Sequence, residues 1–238
     1  MKLDILALGA HPDDVELGCG GTLIRHVQMG HKVGIVDLTR GETGTRGTPE
    51  LRAEEAQKAA SIIGAVVREN LHLPDGFISQ DKEQIMAVVR TIRTYQPDIV
   101  IATAMHDRHP DHGNAATLIE QACFLAGLAK IETEHKGLAQ QAWRPRLVLH
   151  YIQDRFIMPD IVMDISDVMD RKMESILAHK SQFYHEDSKE PETYIASKGF
   201  LDNIPTRAME HGRPCGFRYG EAFTCTKWLG VQDITQLF

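Results

Sequence analysis

Three short runs, Leu3 to Leu8, Lys32 to Leu38 and Asp98 to Thr103, are apolar at nearly every position, and helix-like segments separate them. Runs this short and this uniformly apolar suit strands covered on both faces, as in the middle of a parallel sheet. Val66 to Leu73 reads as a further strand, closed by the turn Pro74-Asp75-Gly76. The intervening helices carry their own start and stop signals. One runs from Gly18, Gly20 and Gly21 to about Met29, with Leu23, Ile24 and Val27 on its apolar face and Gly30 as its stop. A second is capped by Thr48, opens on Pro49 and reaches about Ile63. A third, about Asp81 to Tyr95, buries Ile85, Val88, Val89 and Ile92, and a fourth spans about Gly113 to Gly127.

Strand, helix and parallel strand in alternation predict an α/β fold of three layers, with a mostly parallel, doubly wound (Rossmann-like) sheet. With 238 residues, 42% of them hydrophobic, the chain is long enough for one sizeable core, so a single domain over 1–238 is expected. Residues 1–127 form its motif-bearing core, and 128–238 supply the remaining strands, helices and a cover for the active site. In that second part, Arg146 to Ile152 and Asp160 to Ile165 read as strands and Ser166 caps a helix of roughly Asp167 to His179. The polar stretch HKSQFYHEDSKEPETY then reads as a loop with a short helix near Glu192 to Ser197. Gly220 to Leu229 alternates as a last strand, with Trp228 expected at an edge or subunit contact.

A net charge of -7, without a run of Lys or Arg, argues against a nucleic-acid partner held through phosphates. No apolar run approaches membrane-spanning length, and Met1-Lys2 leads directly into the first strand, so a cytoplasmic protein with no membrane partner is expected. Cys19, Cys123, Cys215 and Cys225 lack CxxC spacing and read as reduced thiols, with Cys19 a small buried packing residue rather than a metal ligand.

Chemistry concentrates where the first and fourth strands end. The first delivers His11, Pro12, Asp13, Asp14 and Glu16; the fourth delivers His106, Asp107, Arg108, His109, Pro110, Asp111 and His112. In a doubly wound sheet these two ends flank the ligand crevice, so the clusters should meet. Adjacent carboxylates in such a crevice raise each other's pKa unless a cation or hydrogen-bond donors hold them ionised. A His and an Asp from the first loop and a His from the second make a nitrogen and oxygen site that suits zinc, with iron or manganese compatible by ligand type. A dinucleotide site is disfavoured. Its fingerprint needs G-x-G-x-x-G directly after the strand, whereas acidic residues separate Gly9 from Gly18 and would repel a pyrophosphate. A phosphoesterase is disfavoured too, because only Arg46, Arg52 and Arg108 supply positive charge nearby.

AHPDDVELGCGG and HDRHPDHGNA resemble the LmbE-like family of zinc-dependent N-acetylglucosaminyl deacetylases. GETGTRGTPELRAEEA and HKSQF most resemble its bacillithiol-biosynthesis branch, which removes acetate from N-acetylglucosaminyl malate. The resemblance implies that His11, Asp14 and His112 bind the metal, that Asp13 is the general base activating the attacking water, and that His109, with Asp111 behind it, stabilises the oxyanion or protonates the amine. Tyr194 is an alternative oxyanion donor. Arg52, in the first turn of the second helix, is expected to bind substrate, with Arg46 near it, although a solvated pairing with Glu54 or Glu55 also fits the spacing. The partner implied is a small amino-sugar molecule, and a homo-oligomer is expected. Deacetylation of other N-acetylglucosamine compounds, an amidase acting on a thiol conjugate, and a binding protein with a structural metal are the alternatives.

Overall fold

The structure is a computed structural model that describes residues 1–236. The apolar runs become β1 (Ile5–Gly9), β2 (Val33–Thr39), β3 (Val67–Leu73) and β4 (Ile99–Ala102), all parallel. With β7 (Leu147–Tyr151), β8 (Ile161–Asp164) and β9 (Gly220–Thr224) they form one seven-stranded sheet in the order β3-β2-β1-β4-β7-β9-β8. Ile5 of β1 pairs with Val33 of β2 on one side and with Ile99 of β4 on the other. The chain therefore reverses its winding at β1, and the carboxyl ends of β1 and β4 lie side by side, as a ligand crevice in such a sheet requires.

Period-two alternation divides the core. Leu6, Leu8, Val36, Leu38, Val100 and Ala102 face the layer of α3 (Lys82–Tyr95) and α4 (Pro110–Ala126). Ile5, Ala7, Val33, Ile35 and Ile101 face α1 (Asp14–Gln28), α2 (Pro49–Ile63) and α5 (Met169–Leu177). The cap read at Thr48 is in place: its Oγ1 accepts from Leu51 N at 3.2 Å, and Asp81, expected at about the helix start, proves to be the cap of α3, accepting from Gln84 N at 2.9 Å. A small antiparallel ribbon, β5 (Glu134–His135) with β6 (Leu138–Ala139), stands apart from the main sheet.

Two helices start earlier than their glycines predict, and both differences matter for the site. α1 begins at Asp14, not at Gly18, and breaks its helical path at Cys19 (φ -146°, ψ 15°). The glycines serve close packing there: a Cβ on Gly18 would collide with the Tyr151 ring, and one on Gly21 would meet Ile165 at 2.9 Å. α4 begins at Pro110, three residues before Gly113, with His109 as its N-cap.

The break in α1 frees the Leu17 carbonyl and the Gly21 and Thr22 amides from helical partners. A buried ion pair fills the gap. Glu221 on β9 accepts from Gly21 N at 2.9 Å and Thr22 N at 2.6 Å, while Lys172 on α5 donates to Leu17 O at 2.9 Å and to Glu221 at 2.5 Å.

The second half departs furthest from expectation. No helix forms at Glu192 to Ser197; instead Ser197 caps α6 (Lys198–Gly212), a 15-residue helix that the sequence reading passed over. Pro205 in its interior removes a backbone donor and hides the helix from propensity arguments. The last strand is shorter than expected and lies between β7 and β8, antiparallel to both. Trp228 lies beyond it and is 96% exposed, so it packs on no edge of this chain. Among the described residues, no helix is long and apolar enough to cross a membrane.

Candidate active site

The loops after β1 and β4 do meet. Asp14 Oδ2 lies 3.3 Å from His11 Nδ1, and Asp14 Oδ1 lies 3.2 Å from His112 Nε2. Three features aim these side chains. The His11 amide donates to Asp14 Oδ2 at 2.8 Å, Gln153 Nε2 donates to Asp14 Oδ1 at 2.8 Å, and the early start of α4 puts His112 on its first turn.

Each imidazole turns its other nitrogen to a carboxylate. His11 Nε2 lies 3.0 Å from Asp75 Oδ1 and 3.3 Å from Asp111 Oδ2; His112 Nδ1 lies 2.7 Å from Asp107 Oδ2. Such outer carboxylates fix the tautomer and ring orientation of metal-binding histidines. Asp75 and Asp107 were missed as site residues. Asp107 stands within the second motif, but Pro74-Asp75-Gly76 signals only a turn, and only the placement of β3 beside β2 carries it to the crevice. Thr43 holds Asp75 Oδ2 through its amide at 2.8 Å and its hydroxyl at 2.7 Å.

Burial would push the Asp14 carboxyl up, but the His112 and His11 imidazoles outweigh it and hold the group well below the usual carboxylate range. Burial opposes a charge on the histidines as well. Contacts with Asp111, Asp14 and Asp75 nonetheless raise His11 well above its usual pKa, and Asp14 and Asp107 raise His112 to about 9. The cluster favours positive charge at its centre, and a divalent ion would compete with these protons for the same lone pairs.

Asp13 is buried and has φ 131°, a left-handed backbone that a non-glycine residue adopts only when its surroundings enforce it. Burial raises its pKa to about 6, against the pull of Arg52 and with the push of Asp14. Arg52 is also buried, and it is spent inside the protein. Its guanidinium donates to Gly41 O at 3.0 Å and Pro12 O at 3.0 Å, and it lies 3.4 Å from Asp13 Oδ2. Glu55, a candidate partner for it, instead accepts from Ser181 N and Ser181 Oγ.

Other expectations need correcting. Asp111 does not back His109: its carboxylate takes His11 and the Gly76 amide, and only its backbone N–H reaches His109 Nδ1, at 3.2 Å. Burial, His11 and His112 together lower the His109 pKa. Arg46 is buried and ties down the loop across from it through Ser181 O at 2.7 Å, Pro191 O at 2.9 Å and Ser188 Oγ at 2.8 Å, so it does not face a substrate. Tyr194 donates to Asp154 at 2.8 Å, with Arg108 over its ring, on the wall of a cavity that His109 and His112 also line. Cys19 is fully buried with its thiol pushed up, and His179 is buried with Nε2 3.3 Å from Glu16 Oε1.

The donor set fits a metal ion. His11, His109 and His112 bring ring nitrogens within 4.8 Å of one another, and His11 does the same with Asp75 and Asp111. A tetrahedral zinc with bonds of about 2.0–2.1 Å has edges of about 3.3–3.4 Å between ligand atoms. Each contact of Asp14 with an imidazole has about that length, the His11 contact through Oδ2 and the His112 contact through Oδ1.

Comparison with known proteins gives this constellation a family. The family of GlcNAc-PI de-N-acetylases (PIG-L) matches residues 6–123, which include both motifs. A diacetylchitobiose deacetylase of Thermococcus kodakarensis is 29% identical over 227 residues, 91% of this chain and 80% of its own. A probable N-acetyl-α-D-glucosaminyl L-malate deacetylase of Bacillus subtilis is 25% identical over 195 residues, 76% of this chain and 84% of its own. The crystal structure of the conserved protein TT1542 from Thermus thermophilus superposes with a TM-score of 0.86 at 35% identity, covering 97% of this chain and 98% of that one. On motifs, fold and relatives alike, the chain belongs to the PIG-L/LmbE-like deacetylase family.

Proposed function

We propose that the protein is a metal-dependent hydrolase that removes acetate from an N-acetylglucosamine conjugate, with His11 Nδ1, Asp14 and His112 Nε2 holding the ion. The observation that carries this reading is the polarity of the two imidazoles. Both face Asp14 with one nitrogen, and both have the other nitrogen anchored on a carboxylate that is itself hydrogen-bonded. The alternative set of His11 Nε2, Asp75 and Asp111 would leave Asp14 and the inward nitrogens of both imidazoles without a role. Zinc suits the three ligands best, and iron(II) or manganese(II) would also fit them.

A divalent ion there would polarise the acyl carbonyl and lower the pKa of water. Asp13, held in its strained backbone by Arg52, takes the proton from the attacking water. His109 accepts a backbone N–H at Nδ1, which leaves Nε2 as the donating nitrogen of the neutral ring, aimed to stabilise developing charge on the acyl oxygen. Arg52 thereby acts chiefly as the positioning group for Asp13.

Within this class we favour N-acetylglucosaminyl malate, a step of bacillithiol biosynthesis, in line with the motif resemblance and the malate deacetylase relative. With Arg46 and Arg52 committed internally, Arg108, which lines the cavity over Asp13 and lies only 3.8 Å from Asp154, is the cation we assign to a malyl carboxylate. The test is acetate release from N-acetylglucosaminyl malate, free N-acetylglucosamine and diacetylchitobiose by protein loaded with zinc. Release fastest from the malate conjugate supports the full reading. Equal rates remove the malate preference, and no release from any of them removes the hydrolase.

A further inference from the structure

Two cavities meet at the paired imidazoles. One, of about 220 Å³, lies over Asp13; the other, of about 250 Å³, runs beneath α6. The first carries the carboxylates of Asp13, Asp14 and Asp75, and Arg52 on its wall is held by Gly41 O, Pro12 O and Asp13. The second holds a cation without a counter-charge. Arg207 of α6 lines it, donates to the backbone carbonyl of Asp154, and forms no ion pair among the described residues. Other charges on this wall are matched: Lys172 lies 2.5 Å from Glu221, Asp107 lies 2.7 Å from His112, and the Asp154 carboxylate accepts from Tyr194 at 2.8 Å with Arg108 at 3.8 Å. Glu210, three residues on, also borders the cavity but is exposed and makes no ion pair with Arg207. Arg108 borders both cavities, so two guanidiniums converge on Asp154, one at its carboxylate and one at its carbonyl.

In an N-acetylglucosamine conjugate the amide nitrogen and the glycosidic oxygen sit on adjacent ring carbons. An amide placed at the paired imidazoles therefore leaves the aglycone within a few bonds of them, at the junction of the two cavities. Toward Asp13 an anionic aglycone would meet three carboxylates; beneath α6 it would meet Arg207. We infer that Arg207 is a specificity-determining residue, which binds the second carboxylate of a dicarboxylate aglycone whose first carboxylate is taken by Arg108. This deepens the malate reading above and rests on it. A guanidinium has five N–H donors, and one bonded to a neutral carbonyl keeps others for a carboxylate, to which its hydrogen bonds are stronger. Asn203, one turn earlier on α6 and also on the cavity wall, adds an amide donor on the same side of the helix.

The test compares kcat/KM of the zinc-loaded protein for three N-acetylglucosaminides that differ only in aglycone: methyl, glycolyl with one carboxylate, and malyl with two. We expect malyl to exceed glycolyl by about tenfold or more, the scale of one charged hydrogen bond, and glycolyl to exceed methyl through Arg108. Arg207→Met should bring the malyl conjugate down to the glycolyl level, and Arg207→Lys should restore part of the difference, because the charge returns without the planar fork. Binding reads the same step without turnover: by calorimetry, the product glucosaminyl malate should bind Arg207→Met about tenfold more weakly than wild type. A loss spread evenly over the three substrates in Arg207→Met would make Arg207 a brace for Asp154 and reject the inference. So would a wild type that prefers both acidic conjugates to methyl but turns over malyl and glycolyl alike. A wild type that treats all three alike removes instead the malate reading on which the inference stands, and no amine from any of them removes the hydrolase.

Discussion

Of the buried charge clusters along helix α1, those at its break and at its amino end are resolved in opposite ways. At its break, Glu221 faces Lys172, and every backbone group freed there has a partner from that pair. At its amino end, Asp13, Asp14, Asp75, Asp107 and Asp111 gather around His11, His109 and His112, with the Arg52 guanidinium 3.4 Å from Asp13. Carboxylates that carry their own counter-charge belong to the architecture. A surplus of carboxylates, arranged so that two imidazoles face inward, is a demand for a cation from outside. Buried charge alone does not mark a site; uncompensated buried charge does.

The contrast breaks most completely if His112→Ala keeps its ion. We expect this variant to lose metal and acetate release together, and stoichiometric zinc by elemental analysis with unchanged turnover would move the ligand assignment elsewhere. Asp13→Asn should bind metal normally while turnover falls on the order of 10²–10⁴-fold, the scale of a positioned general base. If the ion is lost instead, Asp13 and Asp14 have exchanged roles.

Lys172→Met probes the other cluster. It leaves Glu221 buried without its partner and should cost about 3–5 kcal/mol in denaturant unfolding. Zinc affinity measured on the folded variant should barely move, and a large drop would mean that the two clusters act as one. Asp107→Asn gives the smallest effect. The amide still holds the His112 ring but is a poorer acceptor, so zinc affinity should fall about 10–100-fold with little change in melting temperature. A loss as complete as in His112→Ala would promote Asp107 to a ligand.

Much of the first half was legible because its signals are local. A strand buried on both faces must be apolar at consecutive positions, and the cap at Thr48 acts within three residues of its target. Once the order of strands and helices is known, the winding rule alone brings the ends of β1 and β4 together. Helix starts were less legible: glycines at 18, 20, 21 and 113 looked like helix openings, yet Gly18 and Gly21 serve close packing and both helices begin at the acidic motifs.

Local pattern therefore determined the parallel sheet, the crevice and the two loops that supply its histidines. Partnership was decided only by the tertiary structure. Arg46 and Arg52 have the same chemistry as a pair of substrate-binding arginines, and only their neighbours, the 181–191 loop for one and the Asp13 carboxylate for the other, turn them inward. Asp111 lies two residues from His109 but serves His11, a hundred positions away, and Glu221 satisfies the Gly21 amide across two hundred. Hydrophobic period and capping record what a residue does to the chain within a turn or two. Which donor meets which acceptor depends on where distant segments pack, and no local period carries that information.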